Sequence, residues 1–179
     1  MNRIYHNPPH IYVDNSIYVV TSSTYGSIPY FNSDQKKLIV QEKIFDAILK
    51  TDSKLHAWVI LDNHYHILFE LQEGRFLGKL IKLLNGSSSR ELNRMDKMTC
   101  RKVWFNYWDT CIRNEKDFYT RLNYIHHNPI KHGYLTDVCA LAEYQFSSYL
   151  HYLKERGQEW LDDSLRRYPI KDFTEKGEP

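Results

Sequence analysis

The chain has 179 residues, a hydrophobic fraction of 42% and a formal net charge of +2. This composition is typical of one soluble globular domain with a sizeable core, and the bulk charge does not indicate a nucleic-acid binder. Three widely spaced cysteines lack zinc-finger spacing and argue against a disulfide framework. Because there is no apolar signal region and no stretch that could cross a bilayer, we expect a soluble cytoplasmic protein without a membrane partner.

Hydrophobic periodicity predicts six elements in the order strand, helix, strand, strand, helix, strand. The strands are predicted over 16–25, 55–61, 63–71 and 103–112, and the helices over 35–50 and 74–95. Asp62-Asn63 is a two-residue turn between adjacent strands, and Gly86 with three following serines weakens the middle of the second helix. This order predicts an α+β fold on the ferredoxin-like split βαβ (βαββαβ) plan, an antiparallel sheet with helices packed on one face.

A third helix is predicted over 115–127, because Asn114 can cap it. Pro129 predicts that this helix ends near Asn128, with a further short helix over 129–133. We expect residues 144–153 to be helical and the charged tail from about 162 to be poorly ordered. The domain plan is an irregular lead-in over 1–15, a single domain over 16–153 and a charged extension over 154–179.

The sequence His64-Tyr65-His66 lies in the predicted strand 63–71. Side chains alternate between the faces of a strand, so His64 and His66 project from the same face and could share one metal ion. Two hydrogen-bonded core histidines are the alternative, and the sequence alone leaves both open. Two ligands do not complete a metal site, so a third must come from elsewhere in the chain.

Tyr124 and Asn128 share one face of the predicted third helix, because they are four residues apart. An Asn carbonyl can bind a metal, and a Tyr hydroxyl can act as a nucleophile. Asn128 could instead cap the following short helix, and Tyr124 could pack against the sheet. His126 or His127 could accept the phenolic proton; His127 is nearer the face of Tyr124, and the alternative is that both are surface histidines.

Eight basic and two acidic residues occur between positions 75 and 102. Such a stripe can follow a phosphate backbone or can be a solvated helix face. The candidate DNA contacts are Lys79, Lys82, Arg90, Arg94, Arg113 and Lys131. Trp104, Tyr107 and Trp108 could stack on an extruded base, with core packing as the alternative.

Two segments together resemble the REP-associated tyrosine transposases, relatives of the single-tyrosine insertion-sequence transposases within the HUH nuclease superfamily. The segments are Asp62-Asn63-His64-Tyr65-His66 and the run Tyr124-Ile125-His126-His127-Asn128-Pro129-Ile130-Lys131-His132-Gly133. The intervening residues 103–113 also resemble the pattern of that family, and the resemblance covers about 17–149. His132 departs from the family, which more often has Ala there.

The resemblance implies an HUH-nuclease type of fold and a metal-dependent single-stranded DNA endonuclease and strand transferase. In that reading Tyr124 is the nucleophile that forms a 5′-phosphotyrosine, and His64, His66 and Asn128 hold Mg²⁺ or Mn²⁺. The implied partner is single-stranded or hairpin DNA of the palindromic-repeat kind, in the nucleoid, without a nucleotide cofactor. The protein would act as a monomer or a homodimer.

Three other readings compete with this one. The first is a catalytically inactive, domesticated protein that only binds hairpin DNA. The second is another HUH enzyme, such as a replication initiator, although those usually carry extra domains for which this length leaves no room. The third is an RNA-binding βαββαβ module, which should carry aromatic residues where this chain has histidines.

Overall fold

A computed structural model describes residues 12–171 and 173 of the chain. Its strands are β1 (Ser16–Thr24), β2 (Lys54–Ile60), β3 (His64–Leu71) and β4 (Trp104–Cys111). Its α-helices are α1 (Asp34–Lys50), α2 (Leu77–Met95), α3 (Glu115–Lys131), α4 (Tyr149–Arg156) and α5 (Gln158–Arg167). The strands form one antiparallel sheet in the order β2-β3-β1-β4.

In chain order the first six strands and α-helices are β1, α1, β2, β3, α2 and β4, which confirms the predicted βαββαβ plan. Helices α1 and α2 pack against each other on one face of the sheet. Val40 and Ile44 of α1 and Leu84 of α2 are fully buried there, against residues such as Val20 and Ile67 of the central strands. The α+β class and the placement of these two helices are therefore as predicted.

Helix α3 follows that unit and packs on the other face of the sheet, over β2 and β3. Leu122 and Ile125 of α3 are buried against Val59 of β2 and Leu68 of β3. Because both faces of β3 are covered, nearly all of its residues are buried. The even positions of β3 point toward α3 and the odd ones toward α1 and α2, as the period-two pattern predicts.

Helix α3 continues through Pro129 to Lys131, so the prediction of a break at Asn128 is wrong. Proline removes one helical hydrogen bond and its ring crowds the preceding turn, but the next turn still closes, with the amide of His132 donating to the carbonyl of Asn128 over 3.1 Å. The helix is buried from Thr120 to His126 and again at Asn128 and Pro129. Packing on two sides therefore outweighs the local cost of the proline.

Helix α2 is also continuous, although Gly86 and the serines after it predict weakness. Ser87 and Ser88 donate their hydroxyls to the carbonyls of Leu83 and Leu84, at 2.6 and 2.8 Å. Ser88 also accepts a hydrogen bond of 3.0 Å from Nε1 of Trp104. A small residue at position 88 therefore lets the helix approach β4 closely.

The C-terminal helices form a further layer on the outer side of α3. Leu141, Tyr149 and Leu161 make a small buried cluster there, with Trp160 packed against it. Helix α5 extends to Arg167, so the prediction of poor order from about 162 is wrong as far as that residue. Residues 1–11, 172 and 174–179 of the predicted lead-in and extension lie outside the described residues. The division into a domain over 16–153 and an extension stays a prediction.

Candidate metal and nucleophile site

His64 and His66 lie side by side on β3 and face helix α3. Their ring centroids are 5.1 Å apart, and the side chains are almost completely buried. His64 follows the predicted two-residue turn, which the amide of Leu61 closes by donating to the carbonyl of His64 over 2.9 Å. The turn and the strand alternation together fix the two rings on one face.

The imidazole of His64 is oriented by Asn63. The Nδ2 group of Asn63 donates to the carbonyl of Ser27 over 3.1 Å, which leaves Oδ1 of Asn63 to accept from Nδ1 of His64 over 2.7 Å. The proton of the neutral ring is therefore on Nδ1, and Nε2 carries the lone pair. That lone pair faces Oδ1 of Asn128 at 3.4 Å.

The imidazole of His66 is oriented by Thr21 on the neighbouring strand. Oγ1 of Thr21 lies within hydrogen-bond distance, 2.6 Å, of Nδ1 of His66. The two residues are paired directly across β1 and β3. Nε2 of His66 is buried and has no hydrogen-bond partner among the described residues. A hydrogen-bond partner on one ring nitrogen, with the other nitrogen left open, is the arrangement that a metal-binding histidine needs.

Both imidazoles are held in the neutral form that binds metals. Burial, followed by the nearby charge of His132, lowers the pKa of His64 to about 4. Burial and then the charge of His64 lower the pKa of His66 well below its ordinary value. At neutral pH each ring is therefore uncharged, and in His64 the remaining proton is on Nδ1, so Nε2 can bind a metal.

The donor atoms fit a small divalent cation. Nε2 of His64 and Oδ1 of Asn128 are both acceptors, so they repel each other unless a cation lies between them. Asn128 is fully buried, and its Nδ2 group has no hydrogen-bond partner among residues 12–171 and 173. Two imidazole nitrogens and one amide oxygen would leave further positions on the metal open. Within the described part of the chain no group of three or more His, Cys, Asp or Glu residues could hold a metal.

Tyr124 lies one helical turn before Asn128 and next to His66. The rings of Tyr124 and His66 meet edge to face, with centroids 5.3 Å apart. Nζ of Lys131 donates to the Tyr124 hydroxyl over 3.2 Å. The ring of Phe173 packs on the ring of Tyr124 at 5.1 Å. Tyr124 and Lys131 line an open cavity of about 340 Å³.

The predicted base, His127, makes a different contact. Its Nδ1 donates to the carbonyl of Asn123 over 2.9 Å, and it lines the same cavity as Tyr124. The group hydrogen-bonded to the Tyr124 hydroxyl is Lys131, which the sequence predicted only as a DNA contact. His126 is buried and bonds to Ser148, so the alternative of a surface position is wrong for that residue.

The other predicted DNA contacts do not gather at the site. Lys79, Lys82, Arg90 and Arg94 all belong to α2, on the opposite face of the sheet. Arg94 pairs with Glu91 at 2.6 Å, and Arg113 is exposed between β4 and α3. Their roles in binding DNA stay predictions.

Three further residues at the site escaped the sequence reasoning. Thr21 orients His66, and only the strand register could have revealed this contact. His132 packs its ring against that of His64, with centroids 4.7 Å apart, and its departure from the family pattern was the available signal. Phe173 lies far from Tyr124 along the chain, in a segment with no motif.

Comparison with known proteins defines the class to which this fold and site belong. The profile of the family described as "Transposase IS200 like" matches residues 14–128. The chain belongs to this family. The match includes β1 through most of α3, and thus both histidines, Tyr124 and Asn128.

Within that class the chain is similar to REP-associated tyrosine transposases, as the resemblance implied. It is 31% identical over 101 residues to one from Escherichia coli (strain K12), over 54% of each chain. A relative from Haemophilus influenzae is 29% identical over 103 residues, which is 52% of this chain and 57% of the relative. The chain thus spans little more than half the length of the curated relatives that it matches.

A solved structure confirms the fold. It is a REP-associated tyrosine transposase bound to a REP hairpin, which superposes with a TM-score of 0.70 at 19% identity. The match covers 84% of this chain and 86% of the other. Among the described residues no helix is both long and apolar enough to span a membrane.

Proposed function

We propose that this protein cleaves and rejoins single-stranded DNA through a covalent link to Tyr124. The observation that carries the proposal is that Tyr124 lies beside three side chains that could hold a metal, His64 and His66 on the sheet and Asn128 on α3. Tyr124 contacts His66, and Asn128, one turn further along α3, faces His64. Transfer of a phosphodiester requires a nucleophile beside a site that binds the phosphate and stabilises its charge.

In the first step the Tyr124 hydroxyl oxygen attacks a phosphorus of the DNA backbone. The new bond joins that oxygen to the phosphorus, and the bond from phosphorus to the 3′ oxygen breaks. The phenolic proton passes to a base beside Tyr124 or to solvent, and the departing 3′ oxygen takes up a proton from solvent. The products are a 5′-phosphotyrosine and a free 3′-OH, and attack by another 3′-OH reverses the step and joins strands.

His64, His66 and Asn128 would hold Mg²⁺ or Mn²⁺ in this reaction. A divalent cation held by these three side chains would supply Lewis-acid polarisation of the phosphate. Two imidazole donors favour Mn²⁺ over Mg²⁺, which prefers oxygen ligands and keeps its waters. We therefore expect higher activity in Mn²⁺ at equal concentrations.

Lys131 would position the nucleophile and stabilise its charge. Its ammonium group lies 3.2 Å from the Tyr124 hydroxyl, and Nζ lies 5.0 Å from the centre of the ring. A cation at that distance favours negative charge on the phenolic oxygen as its proton leaves. His127 stays a candidate for the proton acceptor, because it lines the cavity beside Tyr124.

Hairpin DNA is the proposed partner. The support is the likeness to a transposase whose structure holds a REP hairpin. The palindromic repeats nearest the gene for this chain supply the oligonucleotides to test.

The decisive experiment traps the covalent intermediate. A single-stranded oligonucleotide that carries such a hairpin and its flanks is incubated with the full chain and Mn²⁺, then run on a denaturing gel. We expect a protein–DNA adduct that is absent with EDTA and in Tyr124→Phe, and that persists in the control Tyr119→Phe on the same helix. An adduct that survives Tyr124→Phe would overturn the assignment of the nucleophile. Tight binding without any adduct would favour the inactive DNA-binding alternative.

A further inference from the structure

The face of the sheet that carries the histidines continues onto β4, beyond the cover of helix α3. Helix α3 packs over β2 and β3, and β4 is the edge strand next to β1. Nearly all of β3 is buried, whereas every residue of β4 after Trp104 is only half-buried. The side chains of β4 on this part of the face are therefore partly exposed.

The strand register places Trp108 on this open face. Trp108 pairs with Thr21 of β1, and Thr21 pairs in turn with His66 of β3. Residues paired directly across antiparallel strands share a face, so Trp108 and His66 point to the same side. Two strand spacings separate their backbones by about 10 Å.

A bulge in β4 brings Phe105 to the same place. Asn106 pairs with Ser23 and Trp104 with Thr24, so Phe105 is an extra residue on β4. A bulge frees the extra side chain from the strand alternation and turns it in a new direction. Trp104 can therefore fill the core on the other face, where it is only 7% exposed, while Phe105 contacts Trp108.

Three rings form a continuous row along this edge. Phe105 lies between the other two, with its centroid 6.4 Å from that of Trp108 and 6.1 Å from that of Tyr25. Nζ of Lys102 is 4.9 Å from the centre of the Tyr25 ring and 5.7 Å from that of Phe105. Tyr25 is 48% exposed. We call Tyr25, Phe105 and Trp108 the aromatic row.

The structure thereby separates the aromatic residues that the sequence grouped together. Trp104 hydrogen-bonds to Ser88 of α2, and Tyr107 packs against the core under α1 and α2. Of the three predicted stacking residues, only Trp108 points to the face of the histidines. Phe105 and Tyr25 lie in one row with Trp108 on this face, where the sequence predicted Trp104 and Tyr107.

We propose that the aromatic row binds unpaired bases of the DNA strand next to the phosphate held at His64 and His66. Any base can stack on an aromatic ring, and a cation beside the row suits the phosphates between the bases. A strand whose phosphate lies at the histidines reaches the row within about three stacked nucleotides. This inference rests on the proposed function, and it identifies single-stranded flanking DNA, rather than the paired stem, as the ligand of the row.

The test measures stacking directly in the full chain with EDTA, where no cleavage occurs. The probe is the hairpin oligonucleotide with 2-aminopurine placed in turn at each unpaired flanking position, because stacking quenches its fluorescence. We expect quenching at neighbouring positions with the unchanged chain, and its loss in Phe105→Leu and Trp108→Leu. The affinity should fall about tenfold for each removed ring.

Two controls separate stacking from a general loss of structure. Phe45→Leu removes a ring that is 40% exposed on α1, on the opposite face, and should change neither quenching nor affinity. Trp108→Phe keeps a ring at the position and should restore most of the quenching. Replacing the quenched bases by abasic sites should weaken the unchanged chain to the level of the variants and leave the variants unaffected.

The outcomes distinguish this inference from the proposed function. If the unchanged chain forms no adduct with Tyr124 in Mn²⁺, the proposed function fails. If it forms the adduct, but Phe105→Leu and Trp108→Leu keep the same affinity and quenching, the aromatic row does not bind bases and only this inference is overturned. Quenching confined to positions within the paired stem would overturn it as well.

Discussion

Nε2 of His64 lies 3.4 Å from Oδ1 of Asn128, and the two residues are 64 positions apart in the chain. Each atom can accept a hydrogen bond, and in this orientation neither donates one to the other. The pKa of His64 is lowered to about 4, so a shared proton does not relieve their repulsion at neutral pH. A divalent cation would relieve it, and the first two predictions test whether such a cation binds here.

Binding of Mn²⁺ to His64, His66 and Asn128 should stabilise the folded protein. A ligand at a hundredfold excess over its Kd raises the free energy of unfolding by about 2.7 kcal/mol. We expect this rise in the unchanged chain, measured by urea unfolding with and without Mn²⁺, and its loss in His66→Gln. The control His151→Gln changes a histidine whose side chain is 56% exposed on α4 and should keep the full effect. Equal stabilisation of both variants would contradict the site.

Replacing Asn128 by Asp should make the stability of the protein depend on metal. A carboxylate at this fully buried position is costly without a cation, so Asn128→Asp should unfold more easily in EDTA. Its negative charge should also bind Mn²⁺ about tenfold more tightly, so Mn²⁺ should restore its stability.

The matched control is Asn123→Asp on the same helix. The Nδ2 group of Asn123 donates to the carbonyls of Ser164 and Tyr168, at 3.1 and 2.9 Å, so this change also destabilises the protein. Mn²⁺ should not rescue it, because Asn123 lies away from the histidines. Rescue of both variants, or of neither, would argue against Asn128 as a ligand.

Loss of the ammonium group beside Tyr124 should slow chemistry without weakening metal binding. We expect Lys131→Met to form the covalent adduct on the order of a hundredfold more slowly, which is the typical effect of removing one group that stabilises developing charge. Lys131→Arg should recover part of the rate. Single-turnover gels at saturating DNA measure the rate, and a titration measures affinity. An unchanged rate with weaker DNA binding would make Lys131 a backbone contact instead.

His126 should make the fold sensitive to mild acid. Burial, and then the charge of His127, lower its pKa to about 3, while Nε2 lies 2.9 Å from the Ser148 hydroxyl. The unfolded chain takes up this proton near pH 6.5, well before the folded one. Stability from the neutral ring is therefore complete above about pH 6.5 and is lost as the pH falls toward 3, by up to about 1.4 kcal/mol per pH unit.

Urea unfolding at a series of pH values tests this prediction. His126→Gln should be less stable at neutral pH, and its stability should fall less steeply between about pH 6 and pH 4, by about one proton. His64 and His66 contribute to the slope of both proteins, so the comparison isolates His126. Parallel curves for the two proteins would contradict the prediction.

The local structure of this protein could be predicted from its sequence. Period-two and helical patterns defined the strands, the first two helices and their βαββαβ order, because alternation and amphipathicity depend on neighbours in the chain. The same alternation placed His64 and His66 on one face, and the four-residue spacing placed Tyr124 and Asn128 on one side of α3. The motif that these residues form identified the family.

The surroundings of those residues depend on how distant segments pack, and the sequence did not predict them. Burial on two sides carries α3 through Pro129, which local propensity predicts as a boundary, and so keeps Asn128 inside the helix. Register across three strands selects Thr21 and Trp108 as neighbours of His66, and a bulge selects Phe105. These are contacts between segments distant in the chain, and their geometry depends on how the segments pack, which no local pattern records.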